Sequence, residues 1–369
     1  MRIGLVIYGT LDTVTGGYVY DRKLVTRLRD IGDEVHIVSL PARNYVRHLL
    51  YNFATAIVQK ISRLKFDVLL EDELNHPSCI ILNQKLRSKN RCPIISIVHH
   101  LRADENKRTG YLLQVWIEKK YLQSVDGFVF NSHATASSVG RFVGNKPSVV
   151  AHPGKDRLPS NITHQEIAER SKRNAKLEIV FLGNVTPRKG LTELICALSN
   201  IPRDEWNLTV IGSTVRDPSY CRAVIELIRN NGLEKNIILT GQIPDAEVTR
   251  HLRKNHVLAV PSFYEGFGLA YIEAMGSGLP VIGAITGGAR EIVEHGRNGF
   301  LSDPRNTEEL TGFLKALNKD RAMLCGMSIN ALKTYHVFSN WDDTAKKIRE
   351  FLLKKIIPLA GSNAQCRTQ

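Results

Sequence analysis

The feature that most constrains the fold is an alternation that runs along the chain, stops once and restarts. Short apolar runs at 3–8, 34–40, 66–70, 94–98, 127–130 and 148–150 are separated by longer amphipathic stretches, notably 17–31, 45–64 and 111–123. Runs that stay apolar throughout suit strands covered on both faces. Strands divided by helix-length crossovers predict a parallel sheet. The pattern breaks at 155–176, KDRLPSNITHQEIAERSKRNAK, a polar stretch with no strand signal and one short helix expected at 165–173. It then restarts, with strands expected at 177–183, 208–212, 237–239, 257–260 and 280–283, and helices at 191–200, 220–230, 245–252, 269–275 and 308–318. For 369 residues, at roughly 150 per domain, this predicts an α/β protein of two doubly wound, Rossmann-like domains, 1–160 and 161–340. Facing halves would enclose a cleft at the carboxyl ends of both sheets, where such folds bind ligands.

Composition narrows the function. Hydrophobic residues at 43% and charged residues at 23% are ordinary for a soluble globular protein and exclude a disordered chain or a coiled coil. Lys and Arg outnumber Asp and Glu by 50 to 36, for a formal charge of +14, of which residues 1–156 hold +8 and residues 157–369 hold +6. Such an excess points to an anionic partner: a phosphorylated ligand, a membrane surface or nucleic acid. A nucleic-acid binder lacks support, because there is no aromatic-rich basic strand, no helix-turn-helix signature and no zinc spacing. The six cysteines form no C-x-x-C pair and read as reduced thiols. No run approaches the ~18 apolar residues of a membrane span. The opening MRIGLVIYGT has too short an apolar core for a signal peptide. The expectation is a cytoplasmic protein.

Most of the chemistry lies in 261–283, PSFYEGFGLAYIEAMGSGLPVIG. A strand ends before Pro261, a glycine-containing loop follows, and a helix is expected to open near Gly268. The backbone amides around Gly266, Phe267, Gly268 and Leu269 then form an anion site at a helix start. Glu265 precedes that helix and Glu273 lies one and a half turns inside it, about 7.5 Å along the axis from Gly268. That separation matches the reach from a distal phosphate to a ribose. A carboxylate accepts two hydrogen bonds at once, as the vicinal hydroxyls of a sugar require.

With its two glutamates at Glu265 and Glu273, this stretch resembles the E-x7-E region of the retaining glycosyltransferases of family 4, which have the GT-B fold. FLGNVTPRKGLTELICAL (181–198) resembles the family's phosphate-gripping strand, loop and helix, with Gly183 after the strand and Arg188 and Lys189 as the cations for a diphosphate. Asn184 stands where the family often has Arg. Gly16 and Gly17 open a helix after the first strand, as in the family's loop beside the diphosphate. His99 ends a strand in a segment similar to one that places a His near the transferred sugar; His100 follows it where Asp is common. Segments 130–140, 149–154 and 338–348 also resemble family segments, and the last implies a closing helix, about 341–369, packed on the first domain. The resemblance implies a nucleotide-sugar donor on the second domain and a saccharide or lipid acceptor on the first. It further implies retention at the anomeric carbon, with the donor's own phosphate oxygen taking the acceptor proton. An epimerase or a phosphorylase of the same fold would use a similar cleft, but an epimerase needs no acceptor site and no motif for a phosphorylase's cofactor lysine is present.

Two stretches remain. LLEDELNHPS (69–78) ends the third strand with Glu71, Asp72, Glu73 and His76, read as acceptor-side residues together with His100. Neighbours on an extended chain point in alternating directions, so a metal site there would need partners from elsewhere. With Arg188, Lys189 and helix amides to neutralise charge, no metal and no other cofactor is expected. RNYVRHLLYNFATAIVQKISRLK (43–65) sets Tyr45, Leu49, Leu50, Phe53, Ile57 and Ile61 at helical spacing among basic residues. A basic amphipathic helix of this kind suits an anionic membrane surface. The stripe equally suits a helix covering a sheet. Peripheral contact with the inner face of the membrane is the corresponding expectation for location.

Overall fold

The computed structural model describes residues 1–13, 15–89, 92–104, 111–173 and 176–358. The chain divides into two compact units, one of residues 1–154 with 339–369, the other of residues 155–338. Cys366 and the end of the stretch expected as a closing helix lie outside the described residues.

The first unit opens with β1 (Arg2–Tyr8), α1 (Gly16–Asp30), β2 (Glu34–Leu40), α2 (Tyr45–Leu49), α3 (Thr55–Leu64), β3 (Val68–Asp72) and α4 (His76–Lys89). It continues with β4 (Ile94–Val98), α5 (Tyr111–Ser124), β5 (Gly127–Phe130), α6 (His133–Gly140) and β6 (Ser148–Val150). The strands form one parallel sheet in the order β2-β1-β3-β4-β5-β6. Right-handed crossovers place α1 on one face and α3, α4 and α5 side by side on the other, and α4 packs on both its neighbours. Strand order reverses between β1 and β3, so the loops after these strands diverge and open a crevice at the sheet's carboxyl edge.

The periodicity at 45–64 predicts one helix, and the structure breaks it. α2 stops at Leu49, a 3-10 turn covers Leu50–Phe53, and α3 starts at Thr55. Asn52 makes the break. Its buried side chain donates to the carbonyls of Leu49 and Pro77 and accepts from the amide of Ile81, which ties the turn down onto α4. The expected stripe therefore divides: Ile61 is 3% exposed in the core, whereas Leu50 and Phe53 are each 65% exposed.

The second unit contains α7 (His164–Lys172), β7 (Leu177–Leu182), α8 (Leu191–Ser199), β8 (Trp206–Ile211), α9 (Pro218–Asn230), β9 (Ile237–Gly241) and α10 (Asp245–Lys254). It ends with β10 (Val257–Ala259), α11 (Leu269–Gly276), β11 (Val281–Ala284), β12 (Gly299–Ser302), α12 (Thr307–Lys319) and α13 (Arg321–Val337). Thr163 and Glu166 close a capping box over the start of α7, which fixes the short helix in the polar stretch. The sheet is again parallel, in the order β12-β11-β10-β7-β8-β9, and its reversal falls between β7 and β10. The last helix, α14 (Trp341–Phe351), belongs to the first unit. It packs on α1, buries Trp341 completely, and its Thr344 hydroxyl donates to the carbonyl of His152. The first unit's leading segment ends at Gly154, not at residue 160 as the sequence suggested, because Lys155 is already tied to the second unit through the carbonyl of His336 and the ring of Tyr335.

Candidate active site

The loops after β7 and β10, which flank the reversal in the second sheet, are stitched together. Arg188 and Lys189 lie in a 3-10 turn, Pro187–Lys189. The carbonyl of Arg188 accepts from the amide of Phe263 at 2.9 Å, and its Nη1 donates to the carbonyl of Tyr264 at 2.7 Å. Gly190 closes the turn at φ +71°, and a Cβ there would stand 2.1 Å from the carbonyl oxygen of Pro261, so only glycine allows the two loops to meet. Lys189, its methylene stem lying beside Gly183, then reaches Glu265 Oε2 with Nζ at 2.6 Å, and Arg188 Nη1 lies 3.9 Å from the same oxygen. Burial pulls the ammonium pKa of Lys189 down, and Glu265 opposes that pull.

Gly268 stands at the start of α11 with φ +112°, and no side chain caps the helix. Gly266, Phe267, Gly268 and Leu269 lead into this helix start, a setting that suits an anionic ligand. Glu273 is the fifth residue of α11 and is 6% exposed. Its carboxylate is gripped by Arg157, Nε to Oε1 at 2.5 Å and Nη2 to Oε2 at 3.1 Å, while Arg157 Nη1 reaches Asp245 at 3.0 Å. Burial raises the Glu273 pKa and Arg157 opposes the rise. Arg157 escaped the sequence reading: it sits in the polar stretch, and nothing local ties it to a residue more than a hundred positions away.

In the first unit, Gly16 and Gly17 open α1 behind Thr15, whose hydroxyl accepts from the amide of Tyr18. Gly17 lies against the His99 ring; a Cβ there would meet its Cδ2 at 2.8 Å. Asp21, one turn further along the same helix face, accepts from His99 Nε2 at 3.2 Å, and the carbonyl of His99 accepts from Asn131. Burial alone would lower the pKa of His99. Asp21, Asp72 and Glu73 outweigh it and hold the imidazolium up to about 9. His100, next in the chain, is half-buried.

The residues expected on the acceptor side are enclosed instead of presented to solvent. Glu71 and Asp72 are 0% exposed, Glu73 2% and His76 1%. They sit under a cover: the Tyr45 hydroxyl meets His76 Nε2 at 3.1 Å, and Arg102 lies over the Tyr45 ring. The alternating directions expected at the strand end are observed. Glu71 turns to Asn83 on α4, and Asp72 caps the amide of Leu74 beside Asp21 and His99. The partners a metal site would need do converge, since Asp21, Asp72 and His99 form one group and Glu73, His76 and Glu118 another, each with ligand atoms within 4.8 Å of one another. Burial pushes Glu71 and Glu73 up to about 7 and Glu118 up to about 8; it also raises Asp72, which Asp21 pushes further, and lowers His76 to about 4. Asp21 and Glu118 carry no sequence motif, although the spacing Gly17-x-x-x-Asp21 is a readable sign that one helix face receives a side chain.

Comparison with known proteins settles the family. The family description "Glycosyl transferases group 1" matches residues 163–334, and "Glycosyltransferase Family 4" matches residues 16–157. The chain belongs to the family 4 glycosyltransferases. A GDP-mannose-dependent alpha-(1-6)-phosphatidylinositol monomannoside mannosyltransferase of Mycobacterium tuberculosis is 27% identical over 212 residues, 54% of this chain and 54% of that protein. A D-inositol 3-phosphate glycosyltransferase of Rhodococcus jostii is 31% identical over 252 residues, 63% of this chain and 53% of that protein. The chain thus spans about half the length of these curated relatives. Among solved structures, a sucrose-phosphate synthase of Thermosynechococcus elongatus aligns at TM-score 0.81 and 20% identity, over 96% of this chain and 98% of that one. HepE of Anabaena, solved with UDP-glucose, aligns at TM-score 0.76 and 20% identity, over 95% and 99%. At that identity the likeness speaks for the fold, which is GT-B.

Proposed function

We propose that this glycosyltransferase moves a sugar from a nucleotide-sugar donor to an acceptor hydroxyl with retention of anomeric configuration and without a divalent metal. The observation that carries the reading is the stitched pair of loops after β7 and β10. Two cations, two ion-paired glutamates and an uncapped helix start meet there at the sheet's reversal. Arg188, Lys189 and the amides near Gly268 hold the charge that grows on the departing diphosphate, and fixed donors of this sort are usually the largest catalytic contribution. Glu265 takes hydroxyls of the sugar and Glu273 takes the ribose. A carboxylate has about four acceptor positions, so Arg157 leaves Glu273 able to accept from a diol as well. The donor's own phosphate oxygen receives the acceptor proton, and His99 lies beside the transferred sugar. The acceptor is a glycan, a lipid or a lipid-linked sugar bound by the first unit.

The test is binding of UDP, GDP, ADP and their sugars, measured by thermal shift and calorimetry. A ligand at 100 times its dissociation constant adds ~2.7 kcal/mol of stability. Glu273→Ala is expected to weaken the preferred nucleotide roughly ten- to a hundredfold, since hydrogen bonds to a charged group are worth ~1.5–3 kcal/mol. Unchanged affinity in a folded Glu273→Ala protein removes the ribose assignment, and failure of every sugar nucleotide to bind removes the reading.

A further inference from the structure

One helical layer of the first unit combines exposed apolar side chains with charge of a single sign. It comprises α3, α4 and α5, with α2 and its 3-10 turn packed against α4 at one edge. From 43 to 65, 76 to 89 and 111 to 124 the sequence holds a single acid, Glu118. That acid is 1% exposed and accepts from the amides of Arg102 and Ala103. Every exposed charge on this layer is therefore a cation. Large apolar side chains stand out beside them. Val46, Leu50 and Phe53 are 70%, 65% and 65% exposed, and Leu112, Leu113 and Trp116 on α5 are 81%, 59% and 56% exposed. Cations lie against the rings: Lys85 Nζ is 5.7 Å from the centre of Phe53, and Lys120 Nζ is 5.8 Å from that of Trp116. Arg102 joins the two apolar groups, stacking on Tyr45 of α2 and bonding Gln114 of α5.

We infer that this layer docks on an anionic lipid bilayer, with Leu50, Phe53, Leu113 and Trp116 entering the headgroup region and the lysines and arginines facing lipid phosphates. The chemistry selects a membrane. Bulky apolar side chains held out in water among cations, with no exposed acid on these helices among the described residues, meet the requirements of interfacial binding. Each Lys or Arg near an anionic leaflet is worth about a fivefold gain in partitioning. A second copy of the same face would bring like charges together. Nucleic acid could stack on Phe53 and Trp116 but leaves the aliphatic Val46, Leu50, Leu112 and Leu113 standing in water, whereas a bilayer takes up all six side chains. The inference goes beyond the 43–65 segment, because α5 supplies half of the protruding apolar side chains, and it does not depend on the identity of the donor.

The chain itself contains the reporter. Its other two tryptophans, Trp206 and Trp341, are 1% and 0% exposed, so a blue shift of emission on adding vesicles reports Trp116. The full chain is mixed with vesicles of phosphatidylcholine alone, or of phosphatidylcholine with phosphatidylglycerol, and followed by fluorescence and co-sedimentation. Expected are binding and a blue shift with the anionic vesicles only, reversed by high salt. Leu113→Ser with Trp116→Ser should weaken co-sedimentation at least tenfold, as should Lys119→Glu with Lys120→Glu. Val215→Ser, at an exposed position of the second unit, should change nothing. No binding at low salt, equal binding to neutral vesicles, or variants that sediment like the parent would each overturn the proposal. RNA binding without vesicle binding overturns it too and assigns the face to nucleic acid. Nucleotide binding by the same variants is measured in parallel, so failure here is separable from failure of the transferase reading.

Discussion

The two units bury charge in opposite ways at equivalent places, the reversal points of their sheets. In the second unit the two site carboxylates are ion-paired: Lys189 meets Glu265, and Arg157 meets Glu273. In the first unit Asp21 and Asp72 crowd around His99, and Glu73 and Glu118 around His76, with Glu71 buried beside Asn83. Orphaned acceptors remain there, among them Asp21 Oδ2, Asp72 Oδ2 and Glu71 Oε1. A paired carboxylate stays available as a charged acceptor for substrate hydroxyls. Burial pushes the pKa of Glu71, Asp72, Glu73 and Glu118 up, and a neighbouring carboxylate adds to the rise of the last three. Under the proposed function, the paired carboxylates of the second unit suit a donor's diol and diphosphate, and the carboxylates of the first unit keep His99 charged.

Breaking a dedicated pair should have the largest effect. Arg157→Ala leaves Glu273 buried without its cation, and loss of one partner of a buried pair costs about 3–5 kcal/mol. Urea unfolding is expected to show that loss in the second unit. The double change Arg157→Met with Glu273→Leu should regain most of it, because apolar replacement of both partners removes the stranded charge. A single variant as stable as the parent would mean that the pair is not a structural requirement, and the contrast between the units would lose its basis.

The same contrast explains what could be read in advance. Glu265, Glu273, Arg188 and Lys189 lie in two contiguous strand–loop–helix segments, and the resemblance of those segments to family motifs is what singled them out. Arg157, Asp21 and Glu118 meet their partners only after the sheet is assembled, and no local pattern carries that information. Elements show the same division. The strands were legible because they are continuous apolar runs, and α1 and α5 came within a residue or two. α4 was missed because HPSCIILNQKLRSK has no clean apolar stripe: its N-terminal turn is buried and polar, with His76 and Ser78 in the core. α13 carries Gly326 in its interior, and β12 is only four residues long. The break at Asn52 depends on Pro77 and Ile81, residues outside the 45–64 window in which periodicity was judged.

A pH series sharpens the comparison with a smaller effect. Glu71, Glu73 and Glu118 move from 4.5 to about 7, 7 and 8 in the folded unit, so between pH 4.5 and those values the folded state binds protons that the unfolded chain has released. Stability therefore falls as pH rises through that window. His99, raised from 6.5 to about 9, acts in the same direction: its contribution is complete below 6.5 and lost through 9. His76, lowered from 6.5 to about 4, acts oppositely and costs stability as pH falls below 6.5. The first unit should thus lose melting temperature between pH 6 and 9 while the second changes less, as two calorimetric transitions. Glu118→Gln should flatten the first unit's profile. Parallel shifts in both transitions would remove the distinction.

The smallest expected effect is none at all: EDTA should leave the transfer rate unchanged. In the second unit a divalent ion would have to compete with Lys189 for Glu265 and with Arg157 for Glu273, while Arg188, Lys189 and the amides opening α11 already offer the positive charge that a departing diphosphate needs. In the first unit two groups of close ligands are spaced for an ion; Asp21 and Asp72 each keep an oxygen without a hydrogen-bond partner, whereas in the other group Glu118 and His76 are engaged. Both oxygens of Glu118 accept backbone amides, and His76 has one ring nitrogen at the Tyr45 hydroxyl and the other at the carbonyl of Glu73. Metal ligation in that second group would have to displace these contacts and return buried amides to an unsatisfied state, at a cost of about 1–3 kcal/mol for each group. Elemental analysis of the purified protein, with activity measured before and after EDTA, decides the point. Activity lost to the chelator and restored by magnesium or manganese would move the charge neutralisation from Lys189 and Arg188 to an ion, and variants of Glu73 and Asp72 would then locate it.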